Sequence, residues 1–284
     1  MKEVTFSIII PVFNGENTIE RCIKSIPKTK NIEIIVVIDG CTDKTESICK
    51  KMSENDERIK VIVQENSGPF YARKNGILNS NGDYLMFIDS DDMIIKNATE
   101  RIEFLINKYN TPDAIRFRYK KLPEGYEQYK YFQDDEKYIL KNEFKNEVYP
   151  MFLNSYQLNS IWGNCVKREV LEKINILPKA KRYAEDLELN LEIFSKIENI
   201  LFTNDIIYIY NSNNESLTKT SNVDKLLLNL TDAISVYSSL YKYLNIWNMN
   251  TNTYKEMTCK KVNKEIDAIV EEIKQKLKNN NYGG

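Results

Sequence analysis

The sequence predicts an α/β protein: a doubly wound, mostly parallel sheet followed by a helical extension at the C-terminus. Three observations predict it. Near-continuous β-branched runs recur through the first hundred residues, the mark of strands buried on both faces of a parallel sheet. Segments with a helical apolar stripe alternate with them. From about Asn222 onward the pattern changes to two long amphipathic helices.

The elements follow in order. VTFSIIIPVF predicts the first strand, and ENTIERCIKSI a helix with Ile19, Cys22, Ile23 and Ile26 on one stripe. IEIIVVID is the second strand; Thr42 and Asp43 are N-cap candidates for the helix behind it. RIKVIVQ, the helix FYARKNGILNS and the strand DYLMFID complete the alternation. Residues 115–138, rich in aromatics and mixed charge, predict irregular or antiparallel strands. Residues 140–153 and YAEDLELNLEIFSKI read as helices, LFTN and IIYIY as two short strands. The closing helices are KLLLNLTDAISVYSSLYKYLNIW and KVNKEIDAIVEEIKQKLKN, separated by NMNTNT.

Composition narrows the chemistry. Lys+Arg 40 against Asp+Glu 41 leaves a net charge of −1 over 284 residues, so no overall field favours nucleic acid. The chain has no histidine. Acid–base work therefore falls to carboxylates, Lys, Tyr or Cys, and a metal site would be an oxygen site for Mg²⁺ or Mn²⁺. The cysteines, Cys22, Cys41, Cys49, Cys165 and Cys259, are odd in number and lack CxxC spacing, as expected of reduced cytosolic thiols. The N-terminal apolar run is short and interrupted by Pro11, which fits neither a membrane span nor a signal peptide. A cytoplasmic location is expected.

In a parallel sheet ligands bind outside the carboxyl ends of the strands. PVFNGE, DGCTD, NSG and DSDD follow the first four strands and should converge on one crevice. In FIDSDDM, Asp89 and Asp91 sit two residues apart and can point the same way, with Asp92 at the bend. Such a pair is costly unless a divalent cation or a shared proton relieves it. The other reading is an N-cap cluster for a helix beginning near Ile94.

FSIIIPVFNGENTIERCIKSI, EIIVVIDGCTDKT and ENSGPFYARKNGILNSNGDYLMFIDSDD together resemble the nucleotide-binding half of family 2 glycosyltransferases, which have the GT-A fold. SIWGNCVKREVLEKI, RYAEDLELNLEIF and IIYIYNSNNESLT extend the resemblance to about residue 220. It implies a GT-A domain over 1–220, with a nucleotide-binding half (1–95) and an acceptor-binding half (96–220), and a helical extension over 221–284. It also implies an inverting, metal-dependent enzyme that moves one sugar from a UDP-sugar to a saccharide, glycopeptide or lipid-linked glycan acceptor. Bacterial surface glycan or glycoprotein assembly is the setting by analogy. The Gln-x-x-Arg-Trp motif and membrane spans of processive synthases are absent.

The resemblance also assigns residues. Asp91 would hold Mn²⁺ or Mg²⁺, and Asp89 would touch the ribose or share the metal. Asp39 would accept a hydrogen bond from the uracil ring; Ile38 and Cys41 replace the family's usual acid and serine around it. Pro11, Phe13 and Glu16 would line base and ribose, and Asn66 and Gly68 would approach the nucleotide. Arg73 would bond the base edge or phosphate, or pair with Asp89 or Asp91. Asp186 would be the general base, although Glu185 and Asp186 equally suit the positive end of a helix. Lys179, Lys181 and Arg182 would close over diphosphate or a phosphate-bearing acceptor, or simply be solvated. Trp162 would stack on an acceptor sugar or pack in the core. Tyr237, Tyr241, Tyr243 and Trp247 are expected to be exposed together: packing onto the catalytic domain, a dimer contact and peripheral membrane contact all stay open. Two rivals remain. A nucleotidyltransferase would need a glycine-rich loop that PVFNGEN does not supply, and a catalytically inactive scaffold is suggested by Ile38.

Overall fold

The computed structural model describes residues 3–174, 183–212 and 222–281. The chain divides into two compact units: Met1–Lys141, Ile161–Asn175 and Lys196–Ser212 in one, and Asn142–Ser160, Ile176–Ser195 and Asn213–Gly284 in the other.

In the first unit β1 (Phe6–Val12), β2 (Ile32–Asp39), β3 (Ile59–Gln64) and β4 (Tyr84–Phe87) alternate with α1 (Ile19–Ser25), α2 (Thr45–Ser53) and α3 (Pro69–Leu78). Then come β5 (Met93–Ile94), α4 (Ala98–Lys108), β6 (Ala114–Leu122), β7 (Tyr126–Glu127) and β8 (Glu136–Leu140). Later segments add α7 (Arg168–Glu172), numbered after two helices of the second unit, and two strands: β9 (Asn164–Lys167) and β10 (Asn199–Asn211). The sheet order is β3-β2-β1-β4-β9-β6-β10-β5, with β7 paired to β6 and β8 to β10. β1 runs parallel to β2 and β4, β2 to β3, and β6 to β10. β9 is antiparallel to both β4 and β6.

All seven residues of β1 are buried, which is why it reads as an uninterrupted apolar run. Ile8 and Ile10 belong to the core that also takes in Ile19, Cys22 and Ile23 of α1. On the other face Gly76 lets α3 lie close: a methyl there would collide with the Ile9 side chain. Each fully buried isoleucine contributes about 1.5–3 kcal/mol over an exposed one, so the strand centre anchors the loops at its end.

The second unit holds α5 (Phe144–Glu147), α6 (Tyr149–Asn154), α8 (Glu185–Lys196), α9 (Val223–Ile246) and α10 (Asn252–Asn281). Trp247 stacks on Tyr149 with centroids 4.2 Å apart, and its indole N–H donates to Ser195 Oγ at 3.0 Å. The Tyr243 hydroxyl donates to Glu192 at 2.5 Å.

Several expectations are corrected. Tyr237, Tyr243 and Trp247 are buried and Tyr241 alone of the four is exposed: Tyr243 and Trp247 face α6 and α8 and not outward. LFTN and IIYIY form one 13-residue strand, β10, whose register with β6 shifts around Ile206. The helix after DSDD begins at Ala98, beyond β5, so the acidic cluster caps no helix at Ile94. At α2 the N-cap is Lys44, without a side-chain cap; Asp43 instead accepts the Thr45 N–H at 3.0 Å. Lys179, Lys181 and Arg182 lie outside the described residues. Among the described residues no helix is long and apolar enough to cross a membrane.

Candidate active site

The loops behind β1 to β4 are tied to one another by specific hydrogen bonds. Asn14 accepts the Thr42 N–H at 2.8 Å and donates its own N–H to Cys41 Sγ at 3.2 Å. The Gly15 N–H donates to Thr45 Oγ1 at 2.8 Å. Glu16 accepts the Lys44 N–H at 3.0 Å and donates its own N–H to Asp43 at the same distance. Thus Glu16 knits the first loop to the start of α2. Pro11 is buried within β1, whereas the Phe13 ring just beyond it is 39% exposed and available for stacking.

Asp39, at the end of β2, is buried and organises the loop after β3. One oxygen accepts from Gln64 Nε2 and the Ser67 N–H, both at 2.8 Å, and the other from the Gly68 N–H at 2.9 Å. Gly40 has φ +68°, and a Cβ there would lie 2.6 Å from the Asn66 backbone nitrogen. Only glycine fits that turn and that approach. Asn66 itself is exposed, and Gly68 opens α3 as its N-cap.

Arg73, buried on α3, donates to Asp89 Oδ1 at 3.0 Å, the ion pair its position suggested. Asp91 is half-buried, and its backbone carbonyl accepts from Arg21 at 2.7 Å. Burial first, and the Asp89 charge second, push the Asp91 carboxyl above its ordinary range. Asp92 points the other way, fully buried. It accepts from the Tyr208 hydroxyl at 2.6 Å and the Asn211 N–H at 2.7 Å. Burial and the Asp89 charge push it up to about 8 against those two bonds. The Tyr208 oxygen also accepts the Asp89 N–H at 3.1 Å. One tyrosine of β10 therefore holds both ends of the acidic turn.

Trp162 lies against this tyrosine, its ring 4.4 Å from Tyr208 and 14° from parallel. Tyr119 meets it edge-on at 5.0 Å. Sequence reasoning placed Asp92 at the bend of the acidic turn but did not single out its partners, Tyr208 and Asn211. The alternating tyrosines of IIYIY were the available signal, since one face of a strand so placed must meet the site.

Asp186 belongs to the second unit, in the first turn of α8 and half-buried, and follows Ala184 at φ +63°. Among the described residues no cluster of three or more Cys, Asp or Glu is arranged to hold a metal. The Asp89–Asp91 pair nonetheless suits a hard cation: it offers oxygen donors, the Asp89 charge still pushes the Asp91 carboxyl up, and Mg²⁺ typically takes one or two carboxylates plus substrate oxygens.

A mostly parallel sheet with acidic loops gathered at its carboxyl end defines an α/β protein with a ligand crevice outside its strands. Residues 7–172 match the family described as Glycosyl transferase family 2. The chain is 33% identical over 235 residues to glycosyltransferase GlyA of Streptococcus pneumoniae serotype 4, covering 81% of this chain and 33% of that protein. It is 32% identical over 225 residues to the uncharacterized glycosyltransferase EpsJ of Bacillus subtilis, covering 75% of this chain and 62% of that one. It thus spans about a third of GlyA and less than two thirds of EpsJ. Among solved structures, S. aureus TarS 1–349 in complex with UDP-GlcNAc superposes with a TM-score of 0.65 at 19% identity, covering 88% of this chain and 74% of that one. The mannosyltransferase PcManGT of Pyrobaculum calidifontis, in complex with GDP-Man and Mn²⁺, gives 0.60 at 12%, covering 100% and 76%. The chain belongs to glycosyl transferase family 2 and has the GT-A fold.

Proposed function

We propose that the protein transfers a single sugar from a UDP-sugar to a hydroxyl of a saccharide or glycoconjugate acceptor, with inversion. The observation that carries this reading is the Asp89–Asp91 pair: two carboxylates at a strand end, Asp91 raised by burial and then by the charge of Asp89, on a turn fixed by Arg73 and Tyr208. A UDP-sugar is favoured by the complex of the structural neighbour TarS with UDP-GlcNAc. The relatives named above are bacterial glycosyltransferases, and in this reading the protein works in bacterial surface glycan or glycoprotein assembly, in the cytoplasm.

In this reading Phe13 stacks on the uracil, Asp39 accepts from its edge, and the loop backbone at Pro11, Asn66 and Gly68 frames base and ribose. Glu16 keeps that frame closed. Asp39 already grips Gln64, Ser67 and Gly68, so the base contact shares a carboxylate that also sets the loop. Asp91 is the principal metal ligand, because Arg73 occupies one oxygen of Asp89, which leaves Asp89 to the ribose or to a shared position. When bound, Mn²⁺ or Mg²⁺ would offset charge building on the departing diphosphate. Asp186 takes the proton of the acceptor hydroxyl as its oxygen bonds to the anomeric carbon, and the bond from that carbon to the diphosphate breaks to release UDP. Residues 1–220 carry this chemistry, and 221–284 extend it.

The test is a transfer assay on Asp186→Asn beside the unaltered chain. A general base supplies about 10²–10⁴-fold, so kcat should fall by that factor while UDP affinity holds. Retained transfer would assign the base elsewhere.

A further inference from the structure

We propose that Asn190 is a positioning residue for the proton-taking step: it sets the rotation of α8 and with it the direction of Asp186, and the two C-terminal helices are the brace against which that rotation is held. The inference rests on the reading of Asp186 as general base and adds the residues through which the C-terminal helices act on that step.

Burial alone does not fix how α8 is turned about its axis. Leu187, Leu189, Leu191, Ile193 and Phe194 are all buried, and at about 3.6 residues per turn they lie on two opposing sides of the helix. The hydrophobic effect has no direction, so a helix turned about its axis would still bury apolar side chains on both sides. Polar contacts decide the rotation. Asn190, fully buried, donates from its amide nitrogen to the carbonyls of Leu158 at 2.8 Å and Ser160 at 2.9 Å. Asp186 stands four residues earlier, one turn along on the same face, so whatever holds Asn190 also aims Asp186. On the far side of α8 the Tyr243 hydroxyl donates to Glu192 at 2.5 Å and the Trp247 indole N–H to Ser195 at 3.0 Å.

The segment that Asn190 grips is itself held by the C-terminal helices. Lys261 of α10, a buried lysine, donates to the Ser155 carbonyl and lies over the Tyr156 ring at 4.1 Å. Glu265, one turn on and also buried, accepts from the hydroxyls of Tyr156 and Tyr237. Asn159 donates to the Tyr237 hydroxyl at 3.4 Å. A buried lysine and glutamate are costly in a helix that merely covers apolar surface; here they engage Ser155 and Tyr156. α8 is thus held on one side by α9 directly, and on the other through a segment that α9 and α10 brace. An amide suits the clip because it carries two N–H groups on one planar nitrogen, which neither a hydroxyl nor a carboxylate can match.

The experiment compares the full chain with Asn190→Ser, with Lys261→Met, which loosens the brace without touching α8, and with Asp186→Asn alone and combined with Asn190→Ser. Hydrogen–deuterium exchange across α8, read without donor or acceptor, should quicken in Asn190→Ser and in Lys261→Met while exchange in β1 is unchanged. Mn²⁺-dependent UDP release from UDP-glucose, UDP-galactose and UDP-N-acetylglucosamine, with water or methyl glycosides as acceptors, reads the step itself. Asn190→Ser should lower kcat by about tenfold to a hundredfold, Lys261→Met less and in the same direction, with UDP affinity unchanged in both. In the Asp186→Asn background Asn190→Ser should cost less than about twofold, because the group it positions is gone; a merely structural role would lower kcat equally in both backgrounds. Unaltered α8 exchange in both variants, or equal losses in the two backgrounds, overturns the proposal, and Lys261→Met decides it alone if Asn190→Ser does not fold. Full transfer by Asp186→Asn, or no UDP release by the unaltered chain, would instead sink the base reading and the proposal with it.

Discussion

Tyr208 is the side chain on which the acidic turn depends most. Its hydroxyl donates to one aspartate and accepts the backbone N–H of another, so Tyr208→Phe leaves a buried carboxyl short of a partner. The expected cost is about 1–3 kcal/mol, read as a lower denaturation midpoint by urea titration; an unchanged midpoint would contradict the assignment. Sequence reasoning found Asp89 and Asp91 because two carboxylates at a strand end are conspicuous in four residues. It did not find their support, because Asp92 and Tyr208 are 116 positions apart and only the sheet brings them together. The same holds for Asp39. Its place at a strand end was legible, but its grip on Ser67 and Gly68 depends on how two loops pack.

Among the elements, β1 to β4 and their helices were legible: β1, β2 and β4 are buried on both faces and therefore unbroken in sequence, and β3, partly exposed at the sheet edge, still keeps a β-branched run. β10 was not. Its middle, Thr203–Asn204–Asp205, looks like a loop, yet these polar groups are spoken for: Asn204 accepts the Tyr131 N–H at 3.2 Å and donates to the Asp134 carbonyl at 2.8 Å, while Asp205 pairs with Arg101 at 2.7 Å. The C-terminal aromatics misled in the opposite sense. A stripe of rings on a helix reads equally as a surface or a packing face, and here most of the rings are buried. Trp247, stacked on Tyr149 and bonded to Ser195, is the anchor of its unit. Trp247→Ala should cost about 3–5 kcal/mol, measured as a loss of cooperative unfolding or a lowered melting temperature. A change below about 1 kcal/mol would show that the helices hold by other contacts.

For the molecule as a whole the net charge is −1, and its pH response rests on individual carboxyl groups. Glu33, on β2, accepts from the Ser7 hydroxyl at 2.5 Å and from the backbone N–H groups of Asn81 and Gly82 at 2.5 and 3.1 Å. Burial raises its carboxyl, but these donors outweigh burial and hold it below the usual glutamate range. A depressed carboxyl contributes stability that is present above its unfolded value of 4.5 and lost as pH falls through the folded one. Glu33→Gln should therefore be less stable than the unaltered chain at pH 7, and the gap between their urea midpoints should close in acid. A gap that stays constant from pH 7 down to acid would refute the assignment.

The central claim is that the Asp89–Asp91 turn binds a nucleotide diphosphate together with a divalent cation. The measurement is a thermal-shift panel of UDP, GDP, dTDP, CMP and UDP-sugars, each with and without Mn²⁺, on the unaltered chain and on Asp91→Ala. A ligand at a hundred times its Kd stabilises the folded state by about 2.7 kcal/mol, a rise of several degrees. The account predicts a Mn²⁺-dependent rise with UDP and at least one UDP-sugar that Asp91→Ala abolishes; no rise with any nucleotide, or an equal rise in Asp91→Ala, would contradict it.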